Sequence, residues 1–546
     1  MRAFAVGLLA TLLASAAQEP VDPLLRAAIE RFYATQEAED IPGYLALWAS
    51  TSRPQPQQLK HIFDSGDDQF SGLTLLRATQ VGDRTVVRAS VIRDRTTTMP
   101  RPDGVPMTFH TRMDVALTFV REGGEWKILR EGTPVDALAD AVIAATSSDD
   151  RNELIAAEPD LAGPALVVSV SRQADTLAQN RAYAEAQKLY ELALDLATRF
   201  EQPRLQGESL QNIGNALYYQ RKFPDALAAY QRRLAIERSI GNSEGIANAL
   251  LGMATVQYSQ FEYTDALASY RQALEIHESR GDTGATATTL VSTGNVLFVQ
   301  GDFAGAVVDY ERSRALYLKV MDKRGETRAL GGLGRSFAAQ GDFVGALVAY
   351  SGVLEQGRAS NDRSMQGGAL ASMGEVHFRM GNLDTARGMF DQSRVHYETL
   401  NDLANVGGMW QAIALMDLAS SRFAAAEEEY GRSNSVCTTA QDRECIARAI
   451  VGLAFAQAAQ EHFEAAILSY RKAIAAFTSL KKREDAARAE LGLSQALAGV
   501  RDYPGALAAA VHAHNEGTAI AQDDVVWRAL VVSRAHCGGF PIPPVR

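Results

Sequence analysis

Few side chains here are spaced so as to do chemistry, and the spacing says which kind. Tyr33, Asp40 and His110 offer a phenol, a carboxylate and an imidazole, the groups of general acid–base catalysis, yet no motif fixes one relative to another. Asp40 serves equally as the cap of the helix that follows it, and His110 equally as an outward strand residue. His512 and His514 are two apart, which on a helix sends them to different sides and disfavours a shared metal. His536 and Cys537 are adjacent and on a helix point about 100° apart, so they make no nucleophile–base pair. Cys437 and Cys445, in "VCTTAQDREC", fall in a loop between two helical segments. Two readings fit them: a loop that folds back to bridge them, or two reduced thiols filling apolar positions. The chain has no P-loop, H-E-x-x-H, G-x-S-x-G or paired C-x-x-C, so the stronger local signals for nucleotide, zinc or serine-hydrolase chemistry are missing. These residues predict a protein that is not an enzyme and uses no cofactor or metal.

A second set is regular. Asn215, Asn295, Arg335 and Glu375 each follow a small residue; Tyr219 and Arg379 come five after one; Arg328, Arg448 and Arg488 come six before one. Amides and guanidiniums of this kind hold carboxylates and peptide backbone. The small residue itself recurs at Ala174, Gly214, Ala254, Gly294, Gly334, Gly374, Ala414, Ala454 and Ser494, always forty apart. "QGDFAGAVVDY" at Gln300 and "QGDFVGALVAY" at Gln340 share the same phase, with Ala306 and Ala346, then Tyr310 and Tyr350, at matching places. A fixed period in this range predicts a solenoid.

Each unit must be a helical hairpin to position that set. From Gln206, Leu210, Ile213, Gly214 and Leu217 share one face of a first helix, and Ala226, Tyr230 and Leu234 line the inner stripe of a second. Gly301 and Gly341 suit a left-handed helix end, Asp302 and Asp342 suit the positive end of the next helix, and Pro224 and Pro504 fit its first turn. Connectors such as "GNSEG" and "NDRSM" separate one hairpin from the next. The small residue and Ala let paired helices cross closely, while the aromatic fills the gap toward the following hairpin. Enlarging Ala306 should cost roughly 1–3 kcal/mol, and losing Tyr310 roughly 3–5 kcal/mol.

Small residue, Ala and aromatic at these offsets resemble the tetratricopeptide repeat, here with 40 residues per unit, across about Gly163 to Ser533 in nine copies, with "DVVWRALVVSRAHCGG" as a capping helix. The resemblance implies that the second set lines a concave groove for extended or helical peptides, and that Asn215 and Asn295 correspond to the family's peptide-clamping Asn. The basic companion four residues earlier is replaced by Gln211 and Val291, which argues against a C-terminal carboxylate clamp. Arg328, Arg335 and Arg379 beside Glu375 suit a peptide with acidic side chains.

Glu19 to Gly132 lies outside that phase. It reads as an amphipathic helix, a second short one broken at Pro42, then alternating runs turning at Val81-Gly82-Asp83 and at Gly123-Gly124. Helices followed by a long antiparallel sheet resemble the NTF2-like (SnoaL-like) cone, which implies a pocket or a dimer interface. The entry into the repeats resembles that of bacterial repeat proteins ending in a CHAT peptidase domain, without the peptidase half.

The expected fold is mainly α: an α-α superhelix of about nine hairpins plus a capping helix, preceded by a small α+β cone. The domains are a signal peptide at 1–17, the cone at 19–132, a helical linker at 133–162, the solenoid at 163–535 and a tail at 536–546. "MRAFAVGLLATLLASAAQEP" has one cation, a short apolar run and a small-residue exit, which predicts export to the periplasm or the medium of a bacterium, with no membrane span. A formal net charge of -11 without a basic run excludes a nucleic-acid partner. The function so predicted is an exported scaffold that binds a protein or peptide in the repeat groove, the cone domain adding a second contact or a dimer interface. The alternative is a lyase- or isomerase-type or small-molecule-binding cone that the repeats recruit.

Overall fold

The computed structural model describes residues 22–63, 66–81, 83–97 and 108–519. The predicted signal segment, capping helix, tail and His536–Cys537 pair lie outside the described residues. The chain divides into two compact units, Met1–Glu262 and Tyr263–Arg546.

The first unit opens with α1 (Pro23–Glu37), α2 (Ile41–Ala46) and α3 (Pro56–Phe63). Pro42 does not break the second helix. It sits in the first turn, where its missing N–H has no intrahelical partner to lose, and Asp40 caps that turn by accepting from the Gly43 amide at 3.0 Å. An antiparallel sheet follows, β1 (Gly66–Val81), β2 (Arg84–Thr97), β3 (Thr108–Glu122) and β4 (Glu125–Gly132), paired in that order. Alternation puts Val87, Ala89 and Val91 beside Val115, Leu117 and Phe119 on one face, where Leu25, Ile29, Phe32 and Tyr33 of α1 bury them. The other face meets α4 (Pro134–Ala144) and the region after α5 (Ser148–Ala157), with Arg88 of β2 paired to Glu158 at 3.1 Å and Asp160 at 2.7 Å.

Paired helices come next: α6 (Pro164–Gln179) with α7 (Tyr183–Arg199), α8 (Pro203–Tyr219) with α9 (Phe223–Ser239), then α10 (Ser243–Ser259). The second unit continues in the same phase, with α11 (Tyr263–Ser279), α12 (Thr283–Val299), α13 (Phe303–Lys319), α14 (Lys323–Gln340), α15 (Phe343–Ala359), α16 (Arg363–Arg379) and α17 (Leu383–Thr399). It closes with α18 (Leu403–Ala419), α19 (Phe423–Thr439), α20 (Arg443–Ala459), α21 (Phe463–Ser479), α22 (Arg483–Gly499) and α23 (Tyr503–Ala519). The architecture is thus mainly helical and repetitive behind a small antiparallel sheet.

The helices are longer than the sequence suggested, because the connectors are shorter. "NDRSM" and its counterparts are mostly the first turn of the next helix, and the true turn is three residues, or two between α14 and α15. A left-handed residue stands at its centre every twenty residues from Arg181 to Arg501. At one such turn Gly301, φ 83°, donates to Phe298 O at 3.0 Å and Asp302 N to Leu297 O at 2.9 Å, while the Asp302 carboxylate accepts from Gly305 N at 2.9 Å. One helix end and the next helix start are satisfied by the same three residues.

The packing unit is a ring between small residues. Tyr310 of α13 is fully buried, and a Cβ built on Gly294 of α12 or on Gly332 of α14 would lie 2.9 or 2.5 Å from its ring. Tyr230 of α9 fills the equivalent slot between Gly214 of α8 and Gly252 of α10, with Cβ approaches of 2.7 and 2.6 Å. Gly294 and Tyr310 therefore meet as expected, with Ala306 buried in the same cluster as the ring, and a Gly two before the small residue of the following repeat, Gly252 or Gly332, completes the slot.

Candidate functional site

Each unit places members of the forty-residue set along clefts formed by first helices. In the first unit a cleft of about 400 Å³ is lined by Asn215, Tyr219, Tyr230 and Arg233. Asn215 Oδ1 accepts from the Tyr230 hydroxyl at 2.7 Å and from Gln211 Nε2 at 3.2 Å, so this amide oxygen also holds the packing ring. Tyr219 is exposed and stacks on Tyr183 at 4.8 Å between ring centres. The sequence pattern passed over Arg233, which rises from the second helix, buried, and pairs with buried Glu237 at 3.2 Å. A cation thus stands near Asn215 even though Gln211 fills the companion position, and its charge is already neutralised.

In the second unit a cleft of about 450 Å³ is lined by Asn295 of α12, Thr327, Arg328 and Arg335 of α14, Tyr350 of α15 and Ser372 of α16. Tyr310 donates its hydroxyl to Asn295 Oδ1 at 2.7 Å, and Arg335 Nη2 donates to the same oxygen at 3.2 Å. Each guanidinium is held by an aromatic ring: Arg335 lies 5.4 Å from the Phe298 ring centre, Arg328 5.6 Å from that of Tyr317, to whose hydroxyl it also donates at 3.1 Å. Glu375 and Arg379 of α16 line a neighbouring cleft of about 320 Å³, Arg379 5.2 Å from the Phe343 ring centre. Among the described residues, Arg328, Arg335 and Arg379 have no carboxylate within ion-pair distance. Arg448 and Arg488, by contrast, pair along their own helices with Glu444 at 3.7 Å and Glu484 at 2.7 Å.

The phase that selects Glu375 also selects Leu415 of α18 and Phe455 of α20, forty and eighty residues on. They are 43% and 53% exposed. A search for polar residues overlooks them; the repeat period alone would have found them.

The acid–base set is not brought together. Asp40 caps α2, the Tyr33 hydroxyl is buried without a hydrogen-bond partner, and His110 sits exposed on β3, its Nδ1 against Asp94 of β2. A carboxylate that sequence reasoning missed, Glu131 of β4, pairs in register with Leu117 and so faces the core side of the sheet. It keeps a solvent-exposed edge while the walls around it desolvate the carboxyl and raise its pKa, Arg93 opposing. His512 pairs with Glu490 at 2.6 Å rather than with His514, and among the described residues no His, Cys, Asp and Glu group could hold a metal. Cys437 and Cys445 are not in a loop: they belong to α19 and α20, on either side of a three-residue turn, with their sulphurs joined and Cα atoms 5.7 Å apart. No described helix is long and apolar enough to cross a membrane.

The tetratricopeptide repeat family matches residues 245–319 and 291–362. Tetratricopeptide repeats are present in this chain. Similar solved structures include a tetratricopeptide-repeat sensor protein of the signal transduction ATPases with numerous domains, from Pyrococcus horikoshii, at 12% identity and TM-score 0.46, covering 64% of this chain and 55% of that one. Aspartyl phosphate phosphatase F from Bacillus subtilis is similar at 10% identity and TM-score 0.44, over 70% of this chain and 97% of its own. BtubC from P. vanneervenii is similar at 20% identity and TM-score 0.36, over 42% and 94%. A comparison with curated proteins gave no match.

Proposed function

We propose that this chain is an exported interaction scaffold whose first-helix clefts hold an extended segment of another protein. The observation that carries the reading is the second-unit cleft, lined by Asn295 of one repeat and Arg328 and Arg335 of the next, with no carboxylate among the described residues within ion-pair distance of the two guanidiniums. Packing accounts for the rings and glycines. It gives no reason for two exposed cations, each held by an aromatic face, to share one cleft. Catalysis is no part of the reading, since Asp40 caps α2, Tyr33 is packed into the core and His110 lies against Asp94 on the exposed sheet. Export is supported by the leader-like first residues and by the adjacent cysteines. Helices ahead of a four-stranded antiparallel sheet support an NTF2-like first domain, which supplies a second contact or a dimer interface.

A photo-crosslinking amino acid at Ala371, in the cleft beside Glu375, is expected to trap other proteins in the cells that make this chain. The same group at Val348, 69% exposed on a second helix, is the control. Equal adducts from both positions, or none from Ala371, refute the groove.

A further inference from the structure

The repeat face of the second unit changes chemistry along its length. At one position per repeat it reads Asn295, Arg335, Glu375, Leu415, Phe455: donors first, then a single acid, then two exposed apolar side chains. All five belong to one compact unit, on helices α12, α14, α16, α18 and α20. The donor end has the stronger claim to an anion. Arg328 and Arg335 sit on the same helix, seven residues apart and therefore two turns along one face. Each is braced by a ring, which limits the rotamer freedom lost on binding. Some cations of this unit meet acids, as Arg387 does with Asp417 and Glu429, or Arg394 with Asp391 and Glu398; among the described residues Arg328 and Arg335 do not, and the two line the same cleft. In a chain of net charge -11, a pair of guanidiniums left without a carboxylate in one cleft is a local site to which an acidic segment is drawn. The apolar end has nothing to offer a charge; Leu415 and Phe455 recover their exposed area only against another apolar side chain.

We propose that this face selects its partner segment by two anchors, a carboxylate side chain seated between Arg328 and Arg335 and a bulky apolar side chain laid on Leu415 and Phe455. The inference rests on the groove reading above and narrows it to one kind of sequence. The spacing follows from the architecture. Neighbouring packed helices lie about 8–10 Å apart, so Leu415 is two such steps and Phe455 three steps from Arg335, roughly 16–30 Å. An extended chain advances about 3.3 Å per residue. The apolar residue therefore stands roughly five to nine positions from the acid.

The test uses the full chain and synthetic Ser/Gly/Ala peptides carrying one Glu and one Leu, at separations from two to eleven residues, followed by fluorescence anisotropy. Affinity is expected to peak at separations of roughly five to nine. Replacing the peptide's Glu by Gln should weaken binding roughly tenfold, and added salt should shrink that difference. In the double variant Arg328→Gln, Arg335→Gln the Glu and Gln peptides should bind alike. In Leu415→Ser, Phe455→Ser the benefit of the peptide's Leu should vanish while the Glu preference stays. All four side chains are exposed or line a cleft, and circular dichroism confirms the fold; Arg335→Lys, which keeps the charge, should retain part of the Glu preference. Absence of any binding, a flat dependence on separation, equal binding of Glu and Gln peptides to the natural chain, or a phosphoserine peptide binding far more tightly than the Glu peptide overturns the two-anchor proposal. If adducts still form at Ala371 in that case, the groove stands and only its selectivity is lost; if they do not, the groove itself falls.

Discussion

Two neighbouring glycines of α14 differ in what surrounds them. A Cβ on Gly331 meets nothing within 4 Å, whereas one on Gly332 would lie 2.5 Å from the Tyr310 ring. Gly331→Ala is therefore expected to raise stability by about 0.5–1 kcal/mol through backbone entropy, and Gly332→Ala to lower it by about 1–3 kcal/mol, both read from urea midpoints. The acid pair Asp417 and Glu429 gives a second prediction. Glu429 is buried and raised to about 7, first by desolvation, then by its hydrogen bond and proximity to Asp417. Asp417 is held low by Glu429, Arg422 and Arg387, against the burial that would raise it. In the fold Glu429 keeps its proton to higher pH than in the unfolded chain, so between about pH 4.5 and 7 the folded state binds more protons and stability falls as pH rises. Asp417 titrates below that window. Glu429→Gln should flatten the decline, and an undiminished slope in urea titrations at pH 5, 6 and 7 would show that the residue does not ionise there. Of these particulars the sequence showed Tyr310 and its small partner Gly294, since they recur. Glu429 and Asp417 were hidden because they replace the Ala and Leu of other repeats, Ala229 and Leu217, and a periodic reading registers such substitutions only as noise.

Among the turns, identical geometry is imposed on unlike residues. Met321 adopts φ 57° and is 84% exposed, so it makes little contact that could offset a left-handed backbone. Met321→Gly should stabilise the chain by up to about 1 kcal/mol, and Asp322→Ala, which removes the carboxylate accepting from Gly325 N at 2.9 Å, should destabilise it by about 1 kcal/mol. Calorimetric melting of the two variants checks both signs. Gly301 and Gly341 announced such turns, because glycine is the residue that enters the left-handed region without strain. Arg221, Lys481 and Met321 announced nothing, and for that reason the connectors looked longer and the helices shorter than they are. The same blur put Cys437 and Cys445 in a loop instead of on two facing helix ends.

Across each unit, helices of the array touch chiefly the next helix and the one after it. Stability in such an arrangement is close to a sum over neighbours, so damage stays local. Tyr310→Ala, expected to cost roughly 3–5 kcal/mol, should raise amide hydrogen exchange in α12 to α15 well before it does so in the β1–β4 sheet. Uniform acceleration throughout the chain would contradict that picture. The repetitive architecture was legible because each hairpin restates the same contact. The carboxylate on the first domain's core-side sheet face was not, since Glu131 shares that face with Leu117 only through strand register, which no local pattern records. The three-residue turn has a last consequence, for how such a gene can change length. Because the bend at Gly301 and the bend at Gly341 share a φ of 83° and the same capping Asp, a crossover between their codons would excise forty amino acids and rejoin equivalent ends. Relatives that gained or lost whole hairpins by this route should differ in length by multiples of that number, whereas any other increment would throw every later aromatic out of its slot.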